Sequence, residues 1–259
     1  MTRLSNPVRY AVGPRSTAPS PHAEDPRVQA ARDLVAIDAA LAGHSILEEL
    51  GAGGGFEAGE HYPPGEIWDP VTHAQYFYHA HPEGGRLDGE VGHFHTFLGQ
   101  GGMPAGMAPL ILPEMALAPL SQGAGRGDPG THRSRRDRGV FGHLIGISMD
   151  RAGRPISLFT TNRWVTGETW YRAEDAIRML DRFDFDAGSA SLLDRWLAAL
   201  LRVLRPRIVT LIQARDDAVM DWRRRRSRQL HVFDDRRLEV ASELRLDIAA
   251  EFAALLGGA

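Results

Sequence analysis

The sequence predicts an α+β protein, with a small antiparallel sheet of at least four strands packed with an N-terminal helix and a C-terminal helical group. Three observations carry that prediction. Short aromatic and β-branched runs alternate with period two at 74–81, 91–98, 140–150 and 154–161. One helical stripe precedes them, and from about Ala173 apolar residues recur at helical spacing almost to the C-terminus. Strands that come first and helices that follow, without βαβ alternation, favour an antiparallel sheet.

Residues 1–26 are rich in Pro, Ser and Arg and lack periodicity, so they are expected to form a disordered tail ahead of a single domain over 27–259. A helix is expected from Pro26, with Asp25 as its cap and Leu34, Ile37, Leu41, Leu47 and Leu50 as its stripe, ending at Gly51. The glycines at 51–55 follow a helix and precede non-helical sequence. That is the wrong order for a dinucleotide fingerprint, which needs a strand before and a helix after. The runs at 74–81 and 91–98, joined by PEGGRLDGE, predict one hairpin, and those at 140–150 and 154–161, joined by Asp150 to Gly153, predict a second. Between the hairpins lies a long Gly/Pro-rich insertion at 99–138, expected as a lid, a docking arm or a disordered segment. Four helical segments are expected at 173–183, 191–204, 206–229 and 238–256, the second and third parted by Pro206.

Bulk properties narrow the chemistry. The chain has 259 residues, a net charge of -3 and no cysteine. Thiolate nucleophiles, disulfides and cysteine-held metals are therefore excluded. All thirty basic residues are Arg, which also excludes Schiff-base and P-loop lysine chemistry. The acidic balance makes nucleic acid an unexpected partner. There is no secretory signal and no apolar run long enough to span a bilayer, so a soluble, cytoplasmic protein is expected.

The site prediction rests on histidine. Six of the eleven histidines fall between Glu60 and Leu98. In a strand, residues i and i+2 share a face, so His79 and His81 form one pair and His93 and His95 another. In the simplest hairpin register His79 faces His95 and His81 faces His93, bringing four imidazoles onto one patch. Neutral imidazole is a common ligand for first-row metals, so His79, His81, His93 and His95 are the candidate ligands of a divalent zinc, iron or manganese ion. Glu60 and Glu90 are candidate catalytic carboxylates, either completing the ligand set or orienting a histidine. Without a metal, the same patch would serve as a metal-free ligand cleft or as a structural sheet face. His143 shares a strict-alternation face with Ile145 and Ile147, which predicts core packing.

Asn162, Arg163 and Trp164, with Glu168, Trp170 and Tyr171 in the same loop, follow a predicted strand and are candidate contacts for an unknown small molecule. Arg223–Arg228 form a basic helix end that an anionic partner could contact, with Arg133, Arg135, Arg136 and Arg138 extending it. The carboxylates of 231–243 are expected to form structural salt links. The leading expectation is a metal-binding protein or metal-dependent enzyme. The alternative is a non-enzymatic interaction protein that contacts an anionic partner through the Arg-rich helix and the 99–138 arm.

The segments HYPPGEIWDP, HAQYFYHAH, GHFHTF and SLFTTNRWVTGETWY together resemble a family of uncharacterised bacterial proteins, a domain of unknown function. The resemblance covers roughly residues 27–250 and implies no activity, cofactor or fold.

Overall fold

The computed structural model describes residues 25–51, 55–81, 86–112, 139–226 and 231–257. Among them, six strands form one antiparallel sheet in chain order: β1 (His61–Trp68), β2 (Ala74–Ala80), β3 (Gly92–Gly99), β4 (Phe141–Met149), β5 (Pro155–Thr161) and β6 (Val240–Arg245). The helices are α1 (Pro26–Leu41), α2 (Arg163–Thr166), α3 (Ala173–Leu180), α4 (Leu192–Val203), α5 (Arg205–Arg225) and α6 (Ile248–Leu256). No described helix is long and apolar enough to cross a membrane. The expected tail up to residue 24, and the insertion from 113 to 138 with its arginines, lie outside the described residues.

Local chemistry accounts for the helix ends. The Asp25 carboxylate accepts from the Arg27 N–H, Pro26 opens α1, and Ala42 closes it in the left-handed region. The expected continuation to Leu50 is instead a separate 3-10 turn, Ile46–Leu50, started by a capping box between Ser45 and Glu48. A second capping box, Ser191 with Asp194, opens α4.

Two strands differ from the sequence expectation. β1 forms from the Pro-rich stretch after Glu60, where an edge strand and a register break between Tyr62 and Ile67 accommodate the prolines. β6 forms inside the segment expected to be helical at 238–256. Its good helix formers are overridden by pairing with β5, Leu158 lying opposite Leu244. The helix resumes only at Ile248, where the Asp247 side chain accepts from the Ala250 N–H.

One sheet face is covered by helices. Tyr76, Tyr78, Phe94, Ile145, Ile147 and Leu158 pack there against Leu197, Leu200, Leu201, Ile208 and Ile212. A smaller core joins Leu110 and Leu112 to Trp170, Val219 and Phe233, so the start of the insertion packs onto the fold. The opposite sheet face carries a third cluster, Phe77, Phe97 and Phe141, and with it the histidines.

Candidate metal centre

Strand register places the imidazoles. Between β2 and β3, His79 lies opposite His93 and Phe77 opposite His95. The expected pairing of His79 with His95 and His81 with His93 is therefore corrected by two residues. The physical reason is on the other face. The observed register sets Tyr78 opposite Phe94, both fully buried with rings 5.1 Å apart, whereas the expected one would set Tyr78 against Thr96. A two-residue shift changes partners but not faces, because side chains alternate with period two. The four predicted histidines thus still share one face. The His81 and His93 ring centroids are 4.7 Å apart, His79 and His93 5.5 Å, and His93 and His95 4.8 Å.

Two more histidines join this row. His61 on β1 lies directly opposite His79, with ring centroids 5.5 Å apart. His143 on β4 was expected on the core face with Ile145 and Ile147. A bulge between β3 and β4 reverses that: Thr96 pairs with Ile145, but Phe97 pairs with His143. The extra residue, Leu144, goes into the helix-covered core, and His143 turns to the histidine face. There its Nε2 lies 3.0 Å from His95 Nδ1.

His81, Glu90 and His93 form the tightest group. One ligand atom from each lies within 4.8 Å of the others. His93 Nδ1 is hydrogen-bonded to Glu90 Oε1 at 2.7 Å, and the Glu90 side chain is fully buried. His81 Nε2 is buried without a hydrogen-bond partner. Burial lowers the pKa of all three nearby rings. His79 is pushed down to about 3 by burial and the adjacent imidazoles, His93 to about 4 by burial against the opposing pull of Glu90, and His81 is lowered by burial. Burial alone would raise Glu90, but the His93 hydrogen bond and Arg86 hold its carboxyl below the ordinary range. Neutral imidazoles beside an ionised carboxylate are the protonation states that a metal requires.

Arg86 frames the group. Its guanidinium lies 3.0 Å from Glu90 Oε2, donates to Ser148 Oγ, donates to Glu243 at 2.9 Å, and stacks over the Phe159 ring at 3.9 Å. Gly146 makes room for this stack, because a Cβ there would strike the Phe159 ring. Glu90 also lines a groove of about 450 Å³ with Asp150, Arg151 and Arg154.

The remaining candidates lie elsewhere. Glu60 is exposed in the turn before β1, outside the ligand group. Asn162 is fully buried and caps α2 while its Nδ2 donates to the Val232 carbonyl. Arg163 pairs with Asp234, and Trp164 Nε1 donates to the Leu238 carbonyl at 2.8 Å. These three side chains thus anchor the 232–238 turn. In the 231–243 segment Asp235 binds Arg237 and Trp222, in line with the expected salt links. Arg223–Arg226 are exposed at the end of α5, where Arg224 and Arg225 both approach Asp221.

Glu168, one of the candidates in the loop after β5, is buried beside His143. Its Oε2 accepts from the His143 N–H at 2.7 Å, and burial, partly offset by Arg215, pushes its carboxyl up to about 7. Its place in a polar loop carries no periodic signal of this burial.

The chain belongs to the family described as Domain of unknown function (DUF6969), whose model matches residues 28–246. Neither the curated proteins nor the solved structures compared with the chain gave a match.

Proposed function

We propose that this family member binds a divalent metal ion through His81, Glu90 and His93, with His79 alongside, and is a metal-dependent enzyme. The observation that carries this reading is the convergence of three donors within 4.8 Å of one another, buried Glu90 and His93 with half-buried His81, where β2 ends and β3 begins. Two histidines and one carboxylate suit zinc or non-haem iron, and three protein ligands leave positions open for water or substrate. A bound ion would supply Lewis acidity, or a metal-bound water with a lowered pKa. The chain's own residues do the rest. Arg86 holds one oxygen of Glu90, β3 fixes the His93 ring, the His81 N–H bond to the Val91 carbonyl holds His81 beside it, and burial keeps those rings unprotonated.

Metal content after loading with zinc, iron(II) or manganese and gel filtration tests the reading. Retained metal that is lost in Glu90→Gln and in His93→Ala is the expected result. A wild-type protein that retains no metal under any loading condition would overturn it.

A further inference from the structure

We propose that Glu243, on the outermost strand β6 and outside the ligand group, is a positioning residue of the metal centre, acting through Arg86 on Glu90. The proposal rests on the metal reading above and names a residue that tunes that site from the sheet edge. The contacts are continuous. Glu243 Oε1 accepts from Arg86 Nη1 at 2.9 Å, Arg86 Nη2 lies 3.0 Å from Glu90 Oε2, and Glu90 Oε1 lies 2.7 Å from His93 Nδ1. Carboxylate, guanidinium, carboxylate and imidazole alternate from the edge to the ligand group. A guanidinium suits the central place, because its planar fork fixes direction as well as distance.

Three successive strands build a cradle for that guanidinium. Arg86 comes from the connection between β2 and β3, so no strand ladder fixes its position. β4 supplies Ser148, which accepts from Nη2. β5 supplies Phe159, whose ring centroid is 3.9 Å from the guanidinium carbon, and β6 supplies Glu243. Register brings them together: Ser148 pairs with Ser157, and Phe159 with Glu243. The buried Ser157 hydroxyl lies 3.2 Å from Glu243 Oε1, so the carboxylate that holds Arg86 is itself held.

The cradle decides how Arg86 meets Glu90. With Nη1 committed to Glu243, the guanidinium approaches Glu90 Oε2 through Nη2, and its Nε reaches Oε1 only at 3.5 Å. Glu90 Oε1 is thereby left to His93, beside His81. Glu90 Oε2 is buried and accepts no hydrogen bond, so the Arg86 ion pair is what faces it among the described residues. Without Glu243 the fork is free to close on both oxygens of Glu90 and compete with a metal ion for them. A plain tie between loop and strand would look different. One exists nearby, from Arg245 Nη1 to the Asp88 carbonyl at 3.3 Å, and it does not touch Arg86.

Cobalt(II) titration of the full chain, read by the visible absorption of the bound ion, tests the proposal in wild type, Glu243→Ala, Glu243→Gln and Arg245→Ala. The Glu243 side chain is 33% exposed on an edge strand, so its truncation leaves the core intact, and circular dichroism checks each fold. Glu243→Ala should weaken binding about tenfold, as loss of an outer partner of a metal ligand does, and should alter the absorption spectrum. Glu243→Gln, whose amide oxygen still accepts from Arg86, should restore most of the affinity and the wild-type spectrum. Arg245→Ala should bind as wild type does. Equal weakening in Glu243→Ala and Arg245→Ala would make Glu243 a loop tie and overturn the positioning role. Unchanged or tighter binding in Glu243→Ala also overturns it, while leaving the metal site standing. A wild type that takes up no cobalt overturns both readings.

Discussion

The two faces of β3 are built on opposite rules. Phe94, Thr96 and Leu98 point to the helices, while His93, His95 and Phe97 point away from them. On the helix side, the Tyr78 hydroxyl is buried without a partner, but others are satisfied within the fold. The Tyr76 hydroxyl donates to Asp194 at 2.9 Å and the Thr96 hydroxyl to the Ile145 carbonyl at 2.9 Å. On the histidine side, buried polar atoms lie side by side: His81 Nε2 has no partner, while Glu90 is approached by both His93 and Arg86. The main apolar core lies on one side and the histidine row on the other. Along a strand the two jobs are separated by no more than the parity of the residue number.

Neighbouring substitutions in β3 break that comparison most directly. Phe94→Ala empties a fully buried ring site and should lower the unfolding free energy by about 3–5 kcal/mol. The fraction that stays folded should still bind metal. His93→Ala, one residue away, should abolish metal retention. Urea denaturation and metal analysis on the two variants read these effects separately.

The next effect is ligand-linked. Metal at about 100 times its dissociation constant should raise the unfolding free energy by roughly 2.7 kcal/mol, since it binds the folded chain. Glu90→Gln should show no such rise in the same urea titration. An equal rise in this variant would place the stabilising ion elsewhere.

Acid should separate the faces further. In the metal-free protein His79 and His93 titrate at about 3 and about 4, whereas in the unfolded chain they protonate near 6.5. Their contribution to stability is therefore complete above about pH 6.5 and is lost as pH falls toward 3. A denaturation midpoint that does not change between pH 7 and pH 4 would contradict this.

Glu168 should give a smaller effect of opposite sign. Its carboxyl is raised from 4.5 to about 7, so its contribution is complete below pH 4.5 and is lost as pH rises through 7. Glu168→Gln should flatten the decline in stability between pH 6 and pH 8, measured by the same denaturation series.

Period two was enough to read from the sequence that His79, His81, His93 and His95 share a face, because alternation survives any even slip of register. The pairing itself was not legible. It is set by Tyr78 and Phe94 meeting on the hidden side of the hairpin. His143 was misplaced because a bulge inserts Leu144 and inverts the phase of alternation, and nothing in the run FGHLIGISM marks it. Glu90 was noticed for its spacing from His93, a local feature. Glu66 lies near His61 only through a backbone excursion of β1 that the dipeptide Pro63-Pro64 does not specify. β6 was read as helix because Glu, Leu and Ala outweigh its short alternation until an edge of the sheet is offered to it.

Because β1 to β4 follow one another as an antiparallel meander, every ring in the histidine row meets a ring from its own strand or from the next strand in the chain. Contacts across a short connection close small loops, and these form early at low entropic cost. The stretch 61–99 holds five of the six imidazoles of the row, and Glu90 lies within it. A growing chain would therefore expose these imidazoles and Glu90 before α4 and α5 exist to bury the other side of the sheet. An ion captured then would hold the first three strands in register while the helices arrive.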